Sequence, residues 1–287
     1  MPSQAVHGFG SGHLKGSMIT GIVLVSRDNS PSPLRKWAHL RDVLRVLVAR
    51  DFKLRYKRSV FGVGWSLMVP LAQLAVLYLV FNEMVPLNIP RFSAFLFTGI
   101  LPWNWLQTAL LMSALTVVDN RDLIKQVGFP VALLPTITVF SQFIHFLLAL
   151  PILAVFLVMD GYRPDRSLVA LPLVVLFQFA LILSLAYIVA TLQVKFRDTQ
   201  YLLGIVLFLG FYLTPIFWDA ARIPDPYRTI MNFNPVAVLL NAYRAILVNG
   251  KWPDFPSLLA VGFGSIVFLV VGYALFSFAR NRFVEEL

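Results

Sequence analysis

Arg50-Asp51-Phe52-Lys53-Leu54-Arg55-Tyr56-Lys57-Arg58 stands just ahead of an apolar run that opens at Val63, and this junction decides the fold. Upstream of it, Leu40, Val43, Leu44 and Leu47 recur at helical spacing; Val48, Phe52 and Tyr56 extend an apolar stripe, and Arg41 and Arg45 fall on another face. A helix of this pattern over 38–61 lies in the plane of a membrane interface, with Arg50, Arg55, Lys57 and Arg58 among headgroup phosphates and Asp51 and Tyr56 beside them. The alternative is a solvated basic run before a first span. Downstream, Val63–Phe81, Phe92–Val118, Val131–Met159, Ser167–Leu192, Tyr201–Trp218 and Pro256–Phe278 each approach the ~20 residues a helix needs to cross the hydrocarbon core. The expected fold is an all-α polytopic membrane protein with six transmembrane helices.

Composition agrees. Hydrophobic residues make up 58% of the 287 and charged residues 13%, against about a quarter charged in soluble domains. Mean hydropathy is +0.76. The formal charge of +10 would suit nucleic acid in a soluble chain, but its concentration before the first span suits anionic lipid. Of the 24 Lys and Arg residues, 17 lie in segments on the side of the termini and 7 on the other. Both termini are therefore expected in the cytoplasm. There is no cysteine, which excludes disulfides and thiolate metal sites. Residues 1–37 are polar, with a short apolar run, Met18–Val25, that lacks a small-residue cleavage site; they read as a mobile cytoplasmic tail rather than a signal peptide.

Between the fifth and sixth spans, Pro215, Pro224, Pro226, Pro235 and Pro253 divide an outer segment whose apolar pieces, 237–240 and 245–248, are too short to cross. Short re-entrant helices dipping into the outer leaflet are expected, an exposed loop with interfacial helices being the alternative.

The spans hold almost no charge. A charge at the bilayer centre costs roughly 2.5–3.5 kcal/mol on insertion scales, so buried charges mark coupled carriers. Here Glu83 sits beyond the first span, and His145 lies in the third with Ser141 and Gln142, as a packing or hydrogen-bonding residue. His7, His13 and His39 form no metal pair, and no phosphate-binding G-x-x-x-x-G-K-[ST] loop occurs. No acid, base or metal constellation is available for catalysis, so energy for driven transport must come from another polypeptide.

Three features remain. The inner connection Asp119–Pro130 mixes charged and apolar residues, and reads either as a short helix resting on a cytoplasmic partner or as a plain connector. Lys195-Phe196-Arg197-Asp198 reads as a helix-ending interfacial ion pair. Aromatic residues crowd the span ends, among them Trp65, Trp103, Trp105, Phe211, Tyr212 and Trp218. A lipid-facing belt is their default role, but Pro102-Trp103-Asn104-Trp105 interrupts the second span, where an aromatic face can instead line a pathway and stack on sugar rings.

The order Arg50-Asp51-x-x-x-Arg55-Tyr56-x-x-Ser59-x-x-Gly62-x-x-Trp65, Pro70, Gly99-x-x-Pro102-Trp103, Asn120-x-x-Leu123-Ile124-Lys125-x-x-x-Phe129-Pro130, Arg197-Asp198, Thr214-Pro215-Ile216-Phe217, Asn234-Pro235 and Tyr243-Arg244 resembles the permease subunits of type-2 ABC exporters. It resembles specifically those that export lipid-linked polysaccharide: O-antigen, capsule or teichoic acid. The resemblance runs from about Leu40 to the C-terminus. It implies a permease domain over 62–287 and a homodimer in the bacterial inner membrane. It implies a separate ATPase subunit that carries ATP and Mg²⁺, with no cofactor in this chain. It further implies that Asn120, Leu123, Ile124, Lys125, Phe129 and Pro130 form a coupling helix, and that aromatic side chains guide a lipid-linked glycan. A type-2 exporter of drugs or small lipids, a passive channel and an intramembrane transferase are the competing readings.

Overall fold

The structure, a computed structural model, describes residues 33–56, 59, 61–62, 64–125, 129–162, 165–220, 224, 231, 233–280 and 283. The chain divides into residues 1–41 and a body from Asp42 to Leu287. Among the described residues every regular element is helical. The helices are α1 (Pro33–Tyr56), α2 (Gly64–Tyr78), α3 (Phe92–Asp119), α4 (Arg121–Ile124), α5 (Leu133–Met159), α6 (Leu171–Lys195), α7 (Thr199–Leu213), α8 (Pro235–Leu247) and α9 (Phe255–Ala279). A π-helical turn, Leu79–Met84, prolongs α2, and a 3₁₀ turn, Arg166–Ala170, leads into α6. Helix α1 begins at Pro33 rather than Ala38; residues 1–32 of the expected tail lie outside the described residues.

Among the described residues, four helical stretches combine the length and apolarity of a membrane span: Gly64–Met84, Leu133–Met159, Arg166–Lys195 and Phe255–Ala279. They fall on the first, third, fourth and sixth expected spans. Helix α3 has the length, at 28 residues or ~42 Å, but Asn104, Gln107 and Thr108 make it less apolar. The fifth expected span is helical for less than its length. Helix α7 stops at Leu213 because Thr214 precedes Pro215 and is extended, at φ −92° and ψ 141°. Thr214–Trp218 continues as turns.

Helix α3 is the axis of the body. Ala94, Phe97, Ile100, Ala109, Ala114 and Val117 are wholly buried along it, and it packs chiefly on α5 and α6 while α6 packs on α9. Apolar side chains such as Ile205, Phe208, Phe263, Val270 and Phe278 point outward from α7 and α9, as lipid-facing surfaces do. A second apolar cluster at the other end of the bundle joins Val117, Ile124, Leu134, Tyr187, Val194, Phe276 and Phe283.

One tie joins the start of α3 to the end of α5, and two more hold these ends against the end of α8. Asp160 Oδ2 accepts from Ser93 Oγ at 2.7 Å and from the Ala94 amide at 3.1 Å. It thereby satisfies a first-turn donor of α3 that has no partner inside its own helix. Arg91, in the left-handed region at φ 52°, donates to the Val248 carbonyl at 2.9 Å, and the Tyr162 hydroxyl donates to Ile246 O at 3.2 Å. Asp160→Ala is expected to lower stability by about 1–2 kcal/mol, as loss of a helix cap does. Asp160→Asn, which keeps an acceptor, should recover part of it. Thermal unfolding of the detergent-solubilised protein measures both.

Candidate functional site

At one end of the bundle, Asn120 stops α3 and starts α4. Its carbonyl accepts the amides of Leu123 at 3.1 Å and Ile124 at 3.2 Å, and its side-chain amide donates back to Thr116 O at 2.8 Å. The short helix is held from below: Ile124 is buried in the second apolar cluster, with Leu123 and Phe129 packed on it. Asp122 and Lys125 are exposed. The Pro130 carbonyl accepts from Leu133 N at 2.8 Å at the start of α5. A segment seated on the core by its apolar side and charged on its free side can take a push from a partner and pass it to α3 and α5. Gln126–Gly128 lie outside the described residues.

The structure brings this segment to α1. A crevice of about 100 Å³ is lined by Leu47, Arg50 and Asp51 of α1 and by Asn120, Leu123 and Leu134. The backbone of Arg55 and Tyr56 is helical; their side chains, and all of Lys57 and Arg58, lie outside the described residues. Sequence reading missed Tyr187. Its hydroxyl donates to Ala132 O at 3.1 Å and lies 2.8 Å from Thr136 Oγ1, while its ring meets Phe276 edge to face. It links the start of α5 to α6 and α9.

A mostly apolar groove of about 690 Å³, with polar side chains set into it, opens between α2, α3 and α5. Trp65, Ser66, Asn104, Trp105, Thr108, Gln142 and His145 line it. Asn104 Nδ2 donates to Gln73 Oε1 at 3.2 Å, and Gln142 Nε2 to Met112 Sδ at 3.0 Å. Trp65 is 50% exposed and meets Phe61 edge to face at 5.4 Å. Trp105 is mostly buried, stacked on Phe146 at 4.9 Å and tilted against Phe143. Its indole N–H has no hydrogen-bond partner among the described residues. Amides, hydroxyls and an indole edge in an apolar bundle suit a hydroxyl-rich guest with flat C–H faces. Among the described residues, no three His, Asp or Glu side chains are placed to hold a metal.

The other aromatic candidates gather elsewhere. Trp103 is buried against Phe211 of α7 at 6.1 Å, edge to face. Tyr212 is exposed, and Trp218 Nε1 donates to its carbonyl at 3.1 Å.

Beyond Trp103, four scattered motifs meet in one buried network. Arg244 of α8 is 5% exposed. It donates through Nη1 to Pro215 O at 2.5 Å and through Nη2 to Ile216 O at 2.6 Å. Its guanidinium lies 3.5 Å over the Phe95 ring. Gly99 faces this pair so closely that a Cβ there would stand 2.8 Å from Ile216 O and 2.9 Å from Nη2. The Tyr243 hydroxyl donates to Gln178 Oε1 at 2.7 Å, and Gln178 Nε2 donates to Pro102 O at 2.9 Å. Asn234 accepts the Val236 and Ala237 amides at 3.0 and 3.3 Å, capping α8, and donates to Thr214 Oγ1 at 3.3 Å. The network fixes α8 and the turn after α7 to α3 and α6. The residues that precede α8 in the outer segment lie largely outside the described ones.

Residues 42–248 match the family model described as ABC-2 type transporter. The chain is 35% identical over 256 residues to the O-antigen export system permease protein RfbA of Myxococcus xanthus, covering 88% of this chain and 98% of that protein. It is 32% identical over 252 residues to a Klebsiella pneumoniae protein of the same name, covering 87% and 96%.

Proposed function

The chain belongs to the ABC-2 type transporter family, and from this we propose that it is the transmembrane subunit of an ATP-driven exporter of O-antigen-like, lipid-linked polysaccharide. The observation that carries the reading is its similarity, over 87–88% of its length, to O-antigen export permeases. The groove that joins indole and amide groups between α2, α3 and α5 supports it. Two copies form the channel, each with a separate ATPase subunit that binds ATP and Mg²⁺. The chain lies in the inner membrane with both termini in the cytoplasm. Helices α3 and α7 complete six spans with the four apolar stretches, and the turn after Leu213 carries the fifth crossing to the far side. Helix α8, buried on protein, is the second arm of a re-entrant pair.

In this reading α4 couples the two subunits. ATP binding draws the ATPase halves together and biases the bundle through contacts that differ between its two states. Lys125 and Asp122 meet the ATPase, while Ile124, Leu123 and Phe129 transmit the displacement to the inner ends of α3 and α5. Lys125→Ala or Phe129→Ala is expected to lower surface glycan delivery about tenfold, within the range of a coupling free energy, with insertion and protein level unchanged. Unaltered delivery by both variants at equal abundance removes α4 from the coupling path.

The function itself is tested by deleting the gene in its native host. Lipid-linked glycan should accumulate on the cytoplasmic leaflet while surface glycan disappears, and the intact gene should restore both. Normal surface glycan, in a host with no second exporter, would transfer the assignment to drugs or small lipids.

A further inference from the structure

We propose that the pocket between α1 and α5 is a binding site for one anionic glycerophospholipid of the cytoplasmic leaflet. The assignment of leaflet rests on the orientation proposed above. The pocket, of about 470 Å³, is walled by Leu44 and Val48 of α1 and by Phe140 and Ile144 of α5. It is separate from the groove that holds Trp65 and Trp105, which lies on other residues of α5. The charged residues lining the pocket are both cationic and both exposed: Arg45 and Lys53. They stand eight residues apart on α1, ~12 Å along its axis. Their long stems cover apolar surface while the charged heads reach toward water.

Depth selects the guest. Phe140 and Ile144 lie 7 and 11 residues into α5 from Leu133, which is ~10 and ~16 Å from its cytoplasmic end. In the orientation proposed above, this apolar wall stands at acyl-chain depth of the cytoplasmic leaflet, and Arg45 and Lys53 of α1 bring cations to the same pocket. An acyl chain fills the apolar walls, and its phosphate meets Arg45 and Lys53 through charge-assisted contacts. A zwitterionic lipid offers the same chain but sets its own ammonium against the two cations. The site would fix the angle of α1, whose Leu47, Arg50 and Asp51 adjoin the coupling segment, so its occupancy would tune coupling.

The test is native mass spectrometry of the intact permease–ATPase complex, exchanged into micelles containing equal dioleoylphosphatidylglycerol and dioleoylphosphatidylethanolamine. Cells unable to make lipid-linked glycan supply the protein, so the result stands whether or not glycan is the cargo. Wild type should retain phosphatidylglycerol preferentially. Arg45→Gln with Lys53→Gln should lower its retention at least about tenfold, as loss of charge-assisted contacts does. Ile144→Trp, which fills the pocket and keeps both cations, should lower it as well, and both variants should elute as wild type in size exclusion. Equal retention in all three proteins overturns the proposal. So does a loss of both lipids alike, which marks a non-selective annular contact. Retention of a prenyl lipid instead, in protein from glycan-producing cells, would assign the pocket to the cargo.

Discussion

Arg244→Ala should lose about 3–5 kcal/mol, the combined penalty of two buried carbonyls left without donors and of the hole behind them. In a marginally stable protein this is a large share of the total. The guanidinium serves Pro215 O and Ile216 O together and covers Phe95, in a place where Gly99 leaves no room for another side chain. Lysine has one ammonium in place of a planar fork, so Arg244→Lys should fall between alanine and wild type. The measurement is the melting temperature and monodisperse yield of the solubilised protein, at matched expression. A melting temperature for Arg244→Ala within error of wild type would overturn the account. The same geometry read from the other side makes Gly99→Ala harmful, because its Cβ would meet a backbone oxygen that cannot swing away.

This network also marks what the sequence could express. The interface stripe of α1 and the four strongly apolar spans are periodicities and runs, visible within one segment. The bounds of the four apolar stretches moved by at most three residues, and α1 begins five residues earlier than expected. Gly99, Pro102, Thr214, Pro215, Asn234, Tyr243 and Arg244 were each legible as members of a family pattern. That they interlock was not legible, because pairing between distant segments leaves no period in a single chain. Gln178 was missed, although a signal existed. A lone amide in an apolar helix that is buried must find partners, and it does so in Tyr243 and Pro102. Tyr187 went unnoticed for the same reason. The short α7 was legible in part: Thr214-Pro215 announces a helix end, but the apolar run through Phe217 outweighed it. At the candidate site, the connection 120–130 was found by its mixed character. The crevice it shares with Arg50 and Asp51 of α1 required the fold. In sequence Trp103 and Trp105 stood out together as pathway candidates; the structure places Trp105 on the groove with Trp65, and packs Trp103 on α7.

Helix α9 carries three glycines that should respond differently to the same mutation, and the contrast tests how closely α9 approaches α6. At Gly272 a Cβ would stand 2.7 Å from the backbone oxygen of Ser184 in α6. In a bilayer, where lipid tails are as apolar as side chains, small residues let two backbones approach and gain dispersion contacts. A methyl there cannot be absorbed by a rotamer change; α6 and α9 must part, and their contact is the most extensive between any two helices here. Gly272→Ala should therefore cost about 1–3 kcal/mol, as overpacking does, and Gly272→Leu more. At Gly262 the obstacle is the ring of Phe177, 2.5 Å away. That ring is a half-buried side chain that can turn, so Gly262→Ala should cost less. At Gly264 nothing lies within 4 Å. Gly264→Ala should gain about 0.5–1 kcal/mol from reduced backbone entropy in the unfolded chain. Thermal unfolding of the three alanine variants in one detergent gives the order. If Gly272→Ala melts with or above Gly264→Ala, the two helices do not meet at backbone distance, and the packing of α9 against α6 must rest on side chains alone.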